Sequence, residues 1–180
     1  ALAASLPGEA VWQVTDVARH DQMRSLARLA LDRFGRIDVL VNNAGVMPLS
    51  RLSEGRVADW DQMIDVNLKG VLYGIDAVLA TMLAQGGGHI VNISSVGAFK
   101  ISPAGAVYGA TKAAVRIVSE ALRQEMAGRV GVTVVYPGAV STELAESIPD
   151  AGFRDTMRKA LGPEALDPKD VASVILNVLT

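Results

Sequence analysis

Polar and apolar positions along the chain alternate between two periods. Residues 10–15 (AVWQVT) show the period of two expected of a β-strand, with Asp16 at its carboxyl end. Residues 20–34 then place Met23, Leu26, Ala27, Ala30 and Phe34 on one helical face, and Gly35 is placed to stop that helix. Residues 37–41 form a short apolar run that reads as a strand, followed at once by Asn42-Asn43-Ala44-Gly45. A loop over 48–55 leads into a long helical stretch, 57–84, expected to kink near Asn67 or Gly70 and to end at Gly86-Gly87-Gly88.

The alternation then repeats. Residues 89–94 read as a buried strand, 106–127 as a helix with Val115, Val118, Ala121, Leu122 and Met126 on its apolar stripe, and 130–136 as another buried strand. A short helix is expected over 153–161. A last one starts at Asp167-Pro168, with Asp as N-cap, Pro at the first helical position and Asp170 in the first turn. Residues 1–6 resemble the end of a helix closed by Pro7-Gly8. Strands and helices alternating at these lengths predict right-handed βαβ units in an α/β fold, a Rossmann-type doubly wound parallel sheet with flanking helices, as one domain over 1–180.

Composition narrows the function. The 180 residues carry 17 Lys and Arg against 19 Asp and Glu, a net charge of -2, with no basic stripe, which argues against a nucleic-acid partner. There is no cysteine, and the two histidines, His20 and His89, are far apart, so no metal site is expected. His89, before a strand, reads as a satisfied structural histidine; Trp12 and Trp60 read as packing residues. Glu143 and Glu146 read as a solvated acidic pair. No uninterrupted apolar run reaches the ~18 residues of a membrane span, and the first residues lack the order of a signal peptide. A soluble cytoplasmic domain with no membrane partner is expected.

The chemistry concentrates in 90–112, IVNISSVGAFKISPAGAVYGATK. Tyr108 and Lys112 are four apart on one helix and so share a face. An ammonium one turn from a phenol is expected to lower its pKa from about 10. Ser94 and Ser95 stand at the end of the preceding strand, where open α/β sheets keep their ligand crevice. A phenol, an ammonium and a serine hydroxyl together make a proton donor and acceptor beside an oxygen clamp.

Asn42-Asn43-Ala44-Gly45 after a strand, Asn67 in DVNLKG, Ser95, Tyr108-x-x-x-Lys112 and Pro137-Gly138 come in the order of the short-chain dehydrogenase/reductases, and the 13 positions from Ser95 to Tyr108 match the family spacing. The chain resembles that family from Ala10 to Leu179. The resemblance implies an NAD(P)-dependent oxidoreductase that moves a hydride between a nicotinamide cofactor and a carbonyl or secondary alcohol. It makes Tyr108 the acid/base, and Lys112 the group that tunes it and binds the nicotinamide ribose. Ser95 becomes the clamp on the substrate oxygen, with Ser94 a helper or strand cap, and Asn67 the fourth catalytic member at a helix kink. Asp16 and Val17 correspond to adenine contacts, and Asn43, Ala44 and Gly45 to the backbone beside the adenosine ribose. Pro137, Gly138, Val140 and Thr142 correspond to the loop on the nicotinamide. Asn42 is expected to tie neighbouring strands together. The NAGVMPLS…DVNLKGVLYG region resembles members that prefer NADP, with NAD the other choice. The resemblance also implies pairing of helices 57–84 and 106–127 into a homodimer or homotetramer.

One family motif, the glycine-rich turn that cradles the cofactor pyrophosphate, has no match in this sequence. The chain is therefore expected to be a fragment lacking the first two strands and the final one. Two readings stand beside the enzyme: a non-catalytic cofactor-binding or sensor protein of the same fold, and an inactive fragment.

Overall fold

The computed structural model describes residues 6, 8–161 and 165–179, with side chains up to 159 and from 165. The expected helix end at 1–6 with its Pro7 stop lies outside the described residues. Helix α1 spans His20–Phe34 and ends on Gly35, whose φ of 75° puts it in the left-handed region that glycine adopts without strain. Strand β1 (Val39–Asn42) follows. Helix α2 (Val57–Met63), a π-helical turn (Ile64–Lys69) and helix α3 (Gly70–Ala84) then run on as one long element. Strand β2 (His89–Ile93), helix α4 (Ala106–Met126) and strand β3 (Gly131–Val135) complete the central layer. Helices α5 (Ala151–Leu161) and α6 (Pro168–Leu179) close the described chain. The cap of α6 forms as the sequence implies: the Lys169 amide donates to Asp167 Oδ1 at 2.8 Å, and the Asp167 amide to Asp170 Oδ2 at 3.2 Å.

The three strands form a parallel sheet in the order β1-β2-β3. Their register places Leu40, Ile90 and Val132 in one row across the sheet. That row packs into the main core with Ala27 of α1, Val71, Ile75, Val78 and Met82 of α3, and Val115, Leu122 and Met126 of α4. The three helices therefore cover one face of the sheet. On the other face Val39 and Val41 are each 40% exposed, and α6 brings Val171, Ala172 and Ile175 to a cavity that Val41 and Ile93 also line.

Two expectations change. Residues 10–15 form no strand, because their backbone pairs with none of the three strands; Val14 and the expected packing residue Trp12 are 83% and 70% exposed. The element 57–84 also holds an 18-residue window of mean hydropathy 1.3, long and apolar enough by length and composition to cross a membrane. Here α3 packs on β1 and α1, so its apolar inner face belongs to the core.

The sheet is stitched to its helices by a buried polar seam. Asn42 Nδ2 donates to Asn92 Oδ1 at 2.8 Å, Asn92 Nδ2 donates to Ser119 Oγ at 2.8 Å, and Ser119 Oγ donates to the Val115 carbonyl at 2.6 Å. Asn42 thus ties β1 to β2 as its position suggests. The seam needs a glycine opposite it: a Cβ on Gly74 would lie 2.3 Å from Asn42 Oδ1. Gly74→Ala is expected to lower the free energy of unfolding by about 2 kcal/mol, even though alanine favours a helix over glycine by up to ~1 kcal/mol. Urea denaturation measures it, and an unchanged midpoint would show that the seam can shift aside.

Candidate active site

The carboxyl ends of β1, β2 and β3 open on a cavity of about 1080 Å³. Ser95, Tyr108 and Lys112 all line it, with Asn43, Ala44 and Gly45 on one side and Pro137, Gly138, Val140 and Thr142 on another. Parallel strands create such a crevice, because their connecting loops diverge at the carboxyl edge.

Lys112 is the most constrained of these groups. Only 6% of it is exposed. Its Nζ donates to the Ile93 carbonyl at 2.9 Å and lies 5.8 Å from the centroid of the Tyr108 ring. The buried hydroxyl of Ser94 donates to the Lys112 carbonyl at 2.8 Å, fixing α4 against the end of β2. Ser95 Oγ accepts the Gly97 amide at 3.0 Å, which leaves its own proton free to donate.

The expected lowering of the Tyr108 pKa is not what this geometry produces. Burial pushes the phenol up, and the hydrogen bond from Ser95 only partly opposes it. The ammonium spends its hydrogen bond on Ile93 rather than on the phenol.

Asn67 stands outside the cavity lining, one layer behind Gly45. The π-helical turn carries its side chain inward, where Oδ1 accepts the Val46 amide at 2.8 Å and Nδ2 donates to the Val46 carbonyl at 2.9 Å and to Thr111 Oγ1 at 3.2 Å. Thr111 in turn donates to the Tyr108 carbonyl at 2.7 Å. Gly45 is the close approach of the site: a Cβ there would lie 3.3 Å from Asn67 Oδ1 and 3.6 Å from Lys112 Nζ. Asp16 and Val17 do not reach the cavity. Asp16 Oδ1 accepts the Ala18 amide at 2.9 Å, and the Val17 side chain packs on Gly70.

His89 is structural, its Nε2 2.8 Å from Thr133 Oγ1 and its pKa lowered by burial. Glu146 pairs with Arg158 on the surface, whereas Glu143 lines the cavity. Sequence reasoning missed Gly97, Thr111 and Ser147. Ser147 Oγ accepts the Met47 amide at 2.9 Å across 100 residues and pins 143–147 over the cavity, a contact no local pattern announces. Among the described residues no cluster of His, Asp and Glu could hold a metal ion.

A family model described as short chain dehydrogenase matches residues 1–151. The chain belongs to the short-chain dehydrogenase family. It is an NAD(P)-dependent oxidoreductase of that family, 43% identical over 171 residues to an uncharacterized oxidoreductase of Listeria monocytogenes, a match covering 93% of this chain and 69% of that protein. Among solved structures it is similar to a gluconate 5-dehydrogenase from Burkholderia cenocepacia in complex with NADP and tartrate, with 38% identity, a TM-score of 0.71, and 79% of this chain and 57% of that one covered. It is also similar to a short chain dehydrogenase/reductase from Burkholderia phymatum in complex with NAD, with 31% identity, a TM-score of 0.88, and 96% and 68% covered. The chain thus spans from just over half to about two thirds of the length of these relatives.

Burial sets Lys112 at about 8, below the ~10.4 of a free lysine. Between those values the unfolded chain binds more protons than the folded one. Stability therefore rises with pH across that window, and the cost of burying the charge is fully felt below it. Lys112→Met is expected to raise stability at pH 7 by about 1–3 kcal/mol, net of the lost bond to Ile93. The gain should shrink as pH climbs through that window. Denaturant midpoints measured against pH test this, and a destabilised variant at pH 7 would mean that the Ile93 contact outweighs the buried charge.

Proposed function

We propose that Tyr108 is the proton donor and acceptor of a carbonyl reductase or secondary-alcohol dehydrogenase, with Ser95 holding the substrate oxygen. The carrying observation is the convergence of Ser95, Tyr108 and Lys112 on one cavity with the two backbone segments 43–45 and 137–142. The close approach at Gly45, free of a Cβ and next to the Lys112 ammonium, suits a ribose hydroxyl. The nicotinamide supplies or accepts the hydride, which no side chain of this cavity can do. Lys112 Nζ has donors left beyond the bond to Ile93, and these would hold that ribose. Pro137, Gly138, Val140 and Thr142 would bound the ring.

A phenol raised by burial is protonated at neutral pH, so Tyr108 stands ready to donate as a carbonyl oxygen gains charge. NADP is the proposed cofactor over NAD, on the resemblance of the region around 43–50 and 65–74; the relatives above bind one or the other. The substrate side is walled by Met47, Leu49, Leu144 and Met157, which suits a carbonyl compound with an apolar body. Asn67 acts here through Val46 and Thr111 as a positioning residue.

Tyr108→Phe is expected to lower turnover by about 10²–10⁴ while leaving cofactor affinity nearly unchanged. Steady-state kinetics with fluorescence titration of the cofactor measures both, and near-normal turnover would remove Tyr108 from the mechanism.

Homo-oligomerisation through the long helices belongs to the same reading. Leu72 and Leu83 of α3 and Ile117 of α4 are 41%, 36% and 59% exposed, which supports helix pairing. Light scattering is expected to give at least twice the monomer mass at micromolar concentration, and a monomeric mass would overturn it.

A further inference from the structure

The turn that carries Ser95 and the helix that carries Tyr108 touch through two glycines. The Gly97 amide donates to Ser95 Oγ at 3.0 Å. The Gly97 carbonyl faces α4 so closely that a Cβ on Gly109 would lie 2.9 Å from its oxygen. A Cβ on Gly97 itself would lie 3.3 Å from Tyr108 Cε1 and 3.4 Å from Ser95 Oγ. Neither glycine has a positive φ, so backbone conformation does not demand glycine at either position. The demand is space. Gly109 is buried and Gly97 lines the cavity.

We infer that Gly97, seated on Gly109, is a positioning residue that sets the separation of the Ser95 hydroxyl from the Tyr108 ring. Three constraints meet in one residue. Its N–H fixes the Ser95 rotamer by using the oxygen as acceptor, so that the hydroxyl proton points away from the turn. Its carbonyl rests on the helix surface one residue past Tyr108. Its bare Cα leaves the edge of the phenol ring free to approach Ser95. A methyl at Gly109 meets a backbone oxygen, which cannot swing aside, so the whole turn 95–98 must lift from α4. A methyl at Gly97 instead wedges between the two reacting side chains, which must part by a few tenths of an ångström. Both changes lengthen the same gap by different routes. General acid catalysis and oxygen clamping depend steeply on that gap, whereas the atoms nearest either methyl belong to neither 43–45 nor 137–142.

The inference rests on the acid/base reading of Tyr108, and its test separates the two. The phenol midpoint is read by NMR in the cofactor-free full chain labelled with [¹³Cζ]tyrosine, with Tyr108→Phe assigning the Tyr108 signal among the three tyrosines. Loosening the Ser95 bond removes the interaction that lowers this pKa, so Gly97→Ala and Gly109→Ala are each expected to move the Tyr108 midpoint up by about half a pH unit or more. In the same variants kcat should fall about tenfold or more, with cofactor Kd within twofold and the alkaline limb of kcat moved in the same direction. Gly152→Ala, whose methyl would meet only Asp150 Oδ1 at 3.5 Å, is the control and should change none of these. If Gly109→Ala does not fold, Gly97→Ala decides alone. An unmoved midpoint in Gly97→Ala overturns the inference, whatever happens to turnover. A fully active Tyr108→Phe beside a moved midpoint would instead overturn the acid/base reading and leave the spacing role standing.

Discussion

Two hydrogen bonds run in opposite directions between the end of β2 and helix α4. Lys112 Nζ donates to the Ile93 carbonyl, and Ser94 Oγ donates to the Lys112 carbonyl. This clasp fixes both the height of α4 along the sheet and its rotation about its own axis. Everything else in the cavity is placed relative to it. Tyr108, one turn back, is presented to Ser95, and Thr111 reaches Asn67 on the far side. The clasp is held at a cost, because it keeps an ammonium in a site where burial favours the neutral amine. A residue retained against its own stability is the pattern expected of a functional group rather than a packing one.

Much of this was legible in the sequence wherever the signal was local. The Gly35 stop, the Asp167-Pro168 start and the break in 57–84 near Asn67 are all written within a turn or two of the residue concerned. The apolar rows of β2 and α4 were readable because period and length agreed. What failed depended on partners distant in the chain. Residues 10–15 have the alternation of a strand, but a strand exists only by pairing, and they pair with none here. Trp12 is a large apolar side chain that no neighbour covers.

The site divides in the same way. The order of Ser95, Tyr108 and Lys112 could be read from spacing, and the structure brings them to one cavity. The direction of the phenol pKa could not, because it balances burial against one hydrogen bond, and both depend on how the turn after β2 folds back on α4. Gly97 and Ser147 are invisible in the sequence for the same reason. Each acts through a backbone group that belongs to another element.

The π-helical turn limits how this gene can change. Ile64–Lys69 holds one more residue per turn than a regular helix, and that surplus carries Asn67 to Val46 and Thr111. Removing a single codon within 64–69 would let the segment relax into an uninterrupted α-helix. The lost residue and the lost π turn would offset each other at about 100° each, so α2 and α3 would stay in phase on either side. The loss would fall on Asn67, which would turn away from Val46 and Thr111. The surplus residue thus serves the site and not the packing of the long element on the sheet.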